Sequence, residues 1–390
     1  MKQPVIVAGV RTPIGRAHDK RGAYRNVRSD RLGVAVVRAL LARTGIAPAE
    51  VEDVHFGCAQ QYGEQGSNVA RFIALAAGLP PETAANTANR LCGSSLETLR
   101  AAAHAIVAGE EDVHVVGGIE HMHHFPIDRE CGGKPLDIMP EFAAAWTPAA
   151  LTMGWATDLM AQELGISRRQ QDEYALRSHQ RATAAQAAGQ FATEIVPVEV
   201  ENNGRKALVE QDQCIRPDTS LERLAELQPA FIPVGGTITA GNSAALSDGA
   251  AALLVMSREK ACALGLRPLA RVVATAVAGV RPTHFGLGPV PATQRALERA
   301  GLTLADIDLV ELNEAFAAQV IACLRELPIA EDKLNVAGGA LAIGHPLGAS
   351  GARIVTTLLH NLRRRDATLG LATMCVGYGQ GIAVVLERIE

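Results

Sequence analysis

Gly45-Ile46-Ala47-Pro48-Ala49-Glu50-Val51-Glu52-Asp53-Val54 runs without a gap against Gly301-Leu302-Thr303-Leu304-Ala305-Asp306-Ile307-Asp308-Leu309-Val310, 256 residues further along the chain. Each copy reads as a helix ended at a glycine, a short turn and the start of a strand. The same offset superimposes Arg43 on Arg299, Ser94 on Ser350 and His104 on His360. It carries the helical pattern after Cys92 onto the one after Gly348, and the strand-like run 113–118 onto 369–374. An unbroken register over this much sequence argues for a duplicated unit. Short β-rich runs alternate with helical patterns in both copies, which is the pattern of layered α/β proteins. Between the copies, 121–240 is richer in polar and irregular sequence, opening with a loop-like stretch from His121 to Ala149. Within it, Ser167-Arg168-Arg169-Gln170 starts a long alanine-rich helix with a capping box, and Gly189 stops it. The organisation expected is a first half over 1–120 plus 241–268, an inserted loop or substrate-binding domain over 121–240, and a second half over 269–390.

A length of 390 residues corresponds to two to three domains at about 150 residues each. Lys and Arg number 37 against 41 Asp and Glu, and the resulting charge of −4 is too balanced to steer a polyanion. Aromatic residues are 4% of the chain and provide few stacking platforms for single strands, so nucleic acid is not the expected partner. No apolar run approaches the roughly 20 residues of a membrane span. The run from Pro4 to Val10 is stopped by Arg11, lacks the basic lead of a secretory signal, and reads as a buried strand. Seven cysteines, at 58, 92, 131, 214, 262, 323 and 375, are scattered without a CxxC pair. That spacing gives neither a disulfide framework nor a zinc cluster, and a reducing cytoplasm is expected, with individual thiols free for chemistry. His121, His123 and His124 lack carboxylates or cysteines at supporting spacing, so a surface or loop role is expected for them and no metal.

Four segments stand out chemically. In Asn89-Arg90-Leu91-Cys92-Gly93-Ser94-Ser95, Cys92 precedes a helix whose apolar face is Leu96, Leu99, Ala103 and Ile106. Unpaired N–H groups at a helix N-terminus favour a thiolate, so a lowered thiol pKa is expected there. Gly344-His345-Pro346-Leu347-Gly348 presents one histidine on a glycine-rich turn, and the 256-residue offset sets His345 opposite Asn89. Cys375-Val376-Gly377-Tyr378-Gly379-Gln380-Gly381 ends a strand in bare backbone, reading either as a tight turn or as N–H groups aimed at a ligand. Leu309 to Phe316 turns from strand to helix, with Asn313 either at the ligand-binding end of the strand or capping the helix.

Together, Arg90-Leu91-Cys92-Gly93-Ser94-Ser95, Asn313-Glu314-Ala315-Phe316, Gly344-His345-Pro346-Leu347-Gly348 and Cys375 to Gly381 resemble the thiolases, in that family's order and spacing and over the whole chain. Val116 to Met122, Ser167 to Ala182 and Thr239-Ala240-Gly241-Asn242 match as well. The Arg-Leu-Cys-Gly-Ser-Ser form and the Glu-His-Met stretch are similar to the degradative 3-ketoacyl-CoA thiolases, in particular the β subunit of the bacterial fatty-acid oxidation complex. The resemblance implies a duplicated five-layered α-β-α-β-α fold and CoA-dependent cleavage of 3-ketoacyl-CoA through an acyl-cysteine. It implies Cys92 as nucleophile, His345 as the base that takes its proton, and Cys375 as second acid/base. It further implies an oxyanion hole from the N–H groups of Cys92 and Gly377, and another from His345 with a water held by Asn313. Arg216 is implied near the adenine nucleotide of CoA, with Met153, Phe231, Phe285 and Ser243 along the pantetheine and acyl tunnel. CoA is then a substrate, no cofactor is implied, and partners are a second copy in a dimer or tetramer and a hydratase/dehydrogenase α subunit.

Thr152 stands where some short-chain members carry histidine before the Met153-Gly154 pair, which argues against an acetoacetyl-CoA specialist. A biosynthetic acetoacetyl-CoA thiolase is still the alternative with the same chemistry. A ketoacyl synthase would have a second histidine in place of Cys375, a cysteine hydrolase would have no use for Cys375, and a non-catalytic carrier would not acylate Cys92.

Overall fold

The computed structural model describes residues 1–127, 138–146, 152–202 and 204–389. The first-half strands are β1 (Pro4–Arg11), β2 (Asp53–Gly57), β3 (Ala84–Ala88), β4 (Val113–His121) and β5 (Ser247–Ser257), and those of the second half are β6 (Ala270–Gly279), β7 (Leu309–Leu312), β8 (Leu369–Val376) and β9 (Gln380–Arg388). They run in the order β7-β8-β9-β6-β1-β5-β4-β2-β3. The sheets of the two halves join where β1 meets β6, at Val5↔Arg271 and Ile6↔Ala270. Reading outward from that seam, β1-β5-β4-β2 in one half matches β6-β9-β8-β7 in the other. In both, the central parallel pair (β2 with β4, β7 with β8) is extended by antiparallel strands. Leu334 forms a parallel bridge to Val310 on the outer side of β7, where β3 flanks β2.

The register survives in the elements themselves. Helix α3 (Ser94–Ala108) and helix α8 (Ser350–Arg364) both start and both end 256 residues apart. So do the single 3-10 turns Pro48–Glu50 and Leu304–Asp306. Gly45 and Gly301, the C-caps of α1 (Ser29–Thr44) and α6 (Pro289–Ala300), sit at φ 68 and φ 66, a left-handed conformation that glycine adopts without a Cβ clash.

Packing arranges these pieces in five layers. Leu96, Leu99 and Ile106 of α3 and Ile354, Val355 and Leu358 of α8 share one core with Val116 and Leu253 of the first half and Val384 and Leu386 of the second. Each of these large side chains is fully buried, worth about 2 kcal/mol apiece by transfer. On the outer face of the first half, α1 and α2 (Val69–Ala77) cover Val54, Phe56 and Val115. On the outer face of the second, α6 and α7 (Ala317–Glu326) cover Val310, Leu371 and Val385. The two middle helices touch closely: the backbone N–H of Ala352 donates to Ser95 Oγ at 2.9 Å.

The segment between the halves contributes α4 (Met153–Glu163), α5 (Arg168–Ala187) and a two-stranded hairpin, Val198–Asn202 with Arg205–Val209. Helix α5 has the capping box its sequence announces, Ser167 paired reciprocally with Gln170. Two buried polar nodes bind this segment to the halves. Arg11 of β1 reaches Glu194 and Asp212, each at 2.7 Å. The Glu314 carboxylate accepts from Tyr174 (3.0 Å) and Ser178 (2.6 Å) of α5 and from Asn335 (2.8 Å). A buried carboxylate with this many donors is satisfied, whereas loss of one partner strands a charge. Among the described residues no helix is long and apolar enough to cross a membrane.

Gly118 on β4 lies against the backbone carbonyls of Gly348 and Gly57, and a methyl there would run into the Gly348 oxygen. Backbone on both sides cannot rotate away as a side chain does. Gly118→Ala is therefore expected to cost about 3 kcal/mol of stability, measured by urea unfolding; a loss within error of zero would contradict the packing described.

Candidate active site

The loop from β3 into α3 holds Cys92 one residue ahead of the helix N-cap, Gly93. Leu91 takes φ 46, uncommon for a residue with a side chain. It is held there because Asn89 Oδ1 accepts the Leu91 N–H (2.8 Å), Ser94 Oγ accepts the Arg90 N–H (2.9 Å), and the same hydroxyl donates to the Leu91 carbonyl (2.6 Å). Cys92 is half-buried and packs beside Ala59, Met122 and Leu347. Burial pushes its thiol up to about 11, a backbone N–H bond from Gly377 pulls the other way, and the Glu120 carboxylate adds to the rise. The lowered pKa expected from the helix N-terminus is thus not what the fold produces. Desolvation outweighs the stabilising N–H groups, and the sulfur rests as a thiol that needs a base.

Leu347 belongs to the turn that carries His345, so the Cys92 loop and this turn meet. Gly344 takes φ 112 with Ile14 and Ser247 pressed against it, leaving no room for a Cβ. His345 is buried. Its Nδ1 lies 2.6 Å from Ser350 Oγ, whose own proton goes to the Pro346 carbonyl at 3.0 Å. That network assigns the ring proton to Nδ1 and leaves Nε2 with its lone pair. Asn313 Nδ2 lies 3.4 Å from Nε2, and Arg353 Nη2 lies 3.5 Å from Asn313 Oδ1, which orients the amide. Burial, then the Arg353 guanidinium, pull the imidazole down to about 3, so it is neutral near pH 7 and able to accept a proton. Asn313 follows β7 directly and does not cap α7, whose N-cap is Phe316.

The third segment is the tight turn its sequence allowed. Residues 377–379 form a tight turn closed by Val376↔Gln380, with Tyr378 at φ 60 and Gly379 at φ 86. Gly377 lies against the Leu91 side chain of the Cys92 loop, and Arg90 of that loop donates to Gln380 Oε1 at 3.1 Å. Cys375, the next-to-last residue of β8, is buried in a cluster with Met153, Phe285 and Phe316. Burial, followed by the neighbouring Cys92 and Cys323, pushes its thiol well above the ordinary cysteine value.

Of the remaining candidates, Met153, Phe231, Phe285 and Ser243 gather around Phe316. Phe231 and Phe285 meet its ring edge-on, with centroids 6.2 and 6.3 Å away. Ser243 pairs with Phe316 through the main chain and donates its hydroxyl to Thr239 O at 2.7 Å. Arg216 and Ser243 line one cavity together with His179, Leu224 and Leu341. Arg353 and His179 were not singled out in the sequence, and Ser350 and Phe316 were seen there only as parts of the repeat and of a motif, because each is given its place by what it touches.

His179 Nδ1 accepts the Arg216 N–H at 3.1 Å, so its Nδ1 must be unprotonated. Burial, with the Arg216 charge, pulls it down to about 4 from 6.5. As pH falls from 6.5 towards 4 the unfolded chain binds a proton at this residue and the folded chain does not, so stability is lost on acidification. His179→Gln removes that loss. The unfolding free energy of the variant is expected to gain on the parent by about 3 kcal/mol across that window, read from urea titrations at successive pH; parallel pH profiles would contradict it.

Of the surface or loop role expected for the histidine cluster, the loop part fits: His123 and His124 lie in the turn that follows β4. His121 is fully buried, its ring stacked 3.9 Å from that of His124. His124 bridges Glu64 (2.8 Å) and the Arg25 carbonyl (2.9 Å), and His121 Nε2 meets the Tyr24 carbonyl (3.1 Å). Hydrogen bonds to backbone carbonyls make these residues ties of the turn after β4. Cys131 lies outside the described residues; Cys58, Cys214 and Cys323 are buried and Cys262 is exposed.

Comparison with known proteins accords with this geometry. Residues 4–259 match the family model "Thiolase, N-terminal domain" and residues 266–388 match "Thiolase, C-terminal domain". The chain is 51% identical over 394 residues to a protein of Aeromonas salmonicida named 3-ketoacyl-CoA thiolase, covering all of both chains. It is 52% identical over 393 residues to one of the same name from Shewanella loihica, again over the full length of each. Its structure superimposes on the crystal structure of the Bacillus anthracis acetyl-CoA acetyltransferase with a TM-score of 0.91 at 39% identity, covering 100% of this chain and 99% of that one. With both family models matched in sequence order across almost the whole chain and the same fold underneath, this chain belongs to the thiolase family.

Proposed function

We propose that this chain is an acyltransferase that cleaves 3-ketoacyl-CoA with CoA, giving acetyl-CoA and an acyl-CoA two carbons shorter, in fatty-acid degradation. The observation that carries the reading is the meeting of the Cys92 loop with the turn after β8, where Arg90 Nη1 donates to Gln380 Oε1 at 3.1 Å and the second thiol, Cys375, lies close enough to Cys92 to feel its charge. Neutral His345 takes the Cys92 proton and the thiolate attacks the 3-keto carbon. Breaking the C2–C3 bond releases the electron pair as the enolate of acetyl-CoA, and Cys375 protonates it. The Cys375 thiolate then takes the proton of incoming CoA, whose thiolate attacks the acyl-cysteine, and departing Cys92 recovers its proton from His345. Splitting the reaction at a covalent intermediate replaces one hard step by two easier ones. Negative oxygen develops in both halves. The N–H groups of Cys92 and Gly377 serve one oxyanion and His345 with an Asn313-held water serves the other, each donor being worth about 3 kcal/mol. Arg216, Ser243, Met153, Phe231 and Phe285 take the CoA and acyl chain, and no cofactor enters the chemistry.

The halves 1–120 plus 241–268 and 269–390 act as a pair facing one site, with 121–240 covering it. A homodimer or tetramer is supported by β3, which among the described residues ends the sheet with no further strand beside it, and by exposed Phe72 and Leu75 on the neighbouring α2. A cytoplasmic location and association with a hydratase/dehydrogenase α subunit belong to the same reading. The test is thiolysis of a 3-ketoacyl-CoA chain-length series, with and without that subunit. A CoA-dependent thioester product over medium and long chains supports it. Activity on acetoacetyl-CoA alone would indicate the biosynthetic alternative, and free acid formed without CoA a hydrolase.

A further inference from the structure

Asp53 and His55 are two residues apart on β2, hence on one face of the sheet, and His114 stands beside Asp53 on parallel β4. The face is the inner one: Val54, Phe56 and Val115 point to the outer core, and Val116, level with His55, packs with α3. His55 Nε2 lies 3.1 Å from Asp53 Oδ2, the His55 and His114 rings are 5.4 Å apart, and one donor atom from each of the three residues lies within 4.8 Å of the others. Every other polar atom of the three side chains is held elsewhere. Asp53 Oδ1 accepts the Val54 N–H at 2.7 Å, His55 Nδ1 meets the Asn86 amide, and His114 Nε2 meets the Glu111 carbonyl at 3.2 Å. A carbonyl only accepts, so the His114 proton is on Nε2 and its lone pair is on Nδ1. That Nδ1 is buried without a hydrogen-bond partner, and His55 Nε2, though close to Asp53, makes no well-formed hydrogen bond either. With the Asn86 carboxamide turned so that its oxygen accepts from His55 Nδ1, His55 Nε2 and His114 Nδ1 both present lone pairs beside one carboxylate oxygen, and this arrangement calls for a cation, because buried polar atoms are otherwise almost always paired.

We propose that Asp53, His55 and His114 bind a divalent metal ion of the zinc class, clamping β2 to β4, with water completing its shell. Imidazole with carboxylate suits zinc, whereas calcium and magnesium take oxygen donors. Tetrahedral zinc bonds of about 2.0–2.1 Å set neighbouring donors about 3.4 Å apart, near the observed Asp53–His55 spacing. The contacts from Asn86, Glu111 and Val54 are the outer shell that orients ligands in metal sites. Asp53 and His55 retain 17% and 11% side-chain exposure, an entry path for the ion and a place for the water. The competing occupant is a proton, which would make Asp53 and His55 an ordinary ion pair.

The experiment titrates Zn²⁺ alone into the metal-stripped full-length chain carrying Cys92→Ala and Cys375→Ser, so that the two thiols of the candidate active site do not compete. One tightly bound ion per chain is expected, with a rise in Tm. Co²⁺ in its place should show ligand-field absorption without sulfur-to-metal charge transfer. His114→Gln and, separately, Asp53→Asn should each weaken binding by at least about 100-fold and remove the Tm shift. Asp53 is at the partly exposed end of the site, so its variant decides the matter if His114→Gln fails to fold. Absence of stoichiometric binding, or binding and stabilisation unchanged in Asp53→Asn, would overturn the proposal.

Discussion

Cys92→Ala is expected to abolish covalent acylation and to lower thiolysis by at least about 10⁴-fold, while the fold is retained. The side chain is short and half-buried, so its loss leaves little cavity. Its sulfur sits in a loop locked by Asn89 and Ser94 and tied by Arg90 to Gln380 beyond the Cys375 turn. With the thiol pushed up to about 11 by burial, catalysis depends on proton transfer to a neutral base, and alanine removes both the proton and the nucleophile. Intact-mass measurement after mixing with a 3-ketoacyl-CoA reads the outcome directly. An acyl adduct on the variant would reject the role proposed for Cys92.

Cys375→Ser is expected to reduce carbon–carbon cleavage by about 10²–10⁴-fold, the range for loss of a positioned general acid or base. Serine is nearly isosteric, so the cluster of Met153, Phe285 and Phe316 around the residue has little reason to rearrange. The hydroxyl, however, is far less acidic than even the raised thiol, and it can neither protonate an enolate efficiently nor deprotonate CoA. Rates of acetyl-CoA release from a 3-ketoacyl-CoA, with circular dichroism as the check on folding, test this. Cleavage within about tenfold of the parent would remove Cys375 from the mechanism and favour a chemistry that uses Cys92 and His345 alone.

Both predictions rest on a site whose parts were visible separately before they were visible together. The 256-residue offset already implied that helices would begin at equivalent places, and α3 and α8 do so at Ser94 and Ser350. The capping box at Ser167 and the left-handed glycines at 45 and 301 were equally legible, because capping and backbone handedness involve only a few adjacent residues. What that reading could not deliver was the protonation chemistry. A helix N-terminus pointed to an acidic Cys92, yet Ala59, Met122 and Leu347, from three distant stretches, surround it and reverse the expectation. Likewise a surface or loop role was expected of His121, which ends β4 fully buried.

From sequence alone, then, came the duplication, the α/β layering, the family and the segments that bear Cys92, Asn313, His345 and Cys375. Periodicity, caps and turns are short-range properties of the chain, and repetition makes them conspicuous. Only the tertiary structure decided that Ser350 and Arg353 orient His345 and Asn313, that burial keeps both thiols protonated, and that Asp53, His55 and His114 converge across two strands. Desolvation and convergence depend on which remote segments pack together, and no local pattern encodes them.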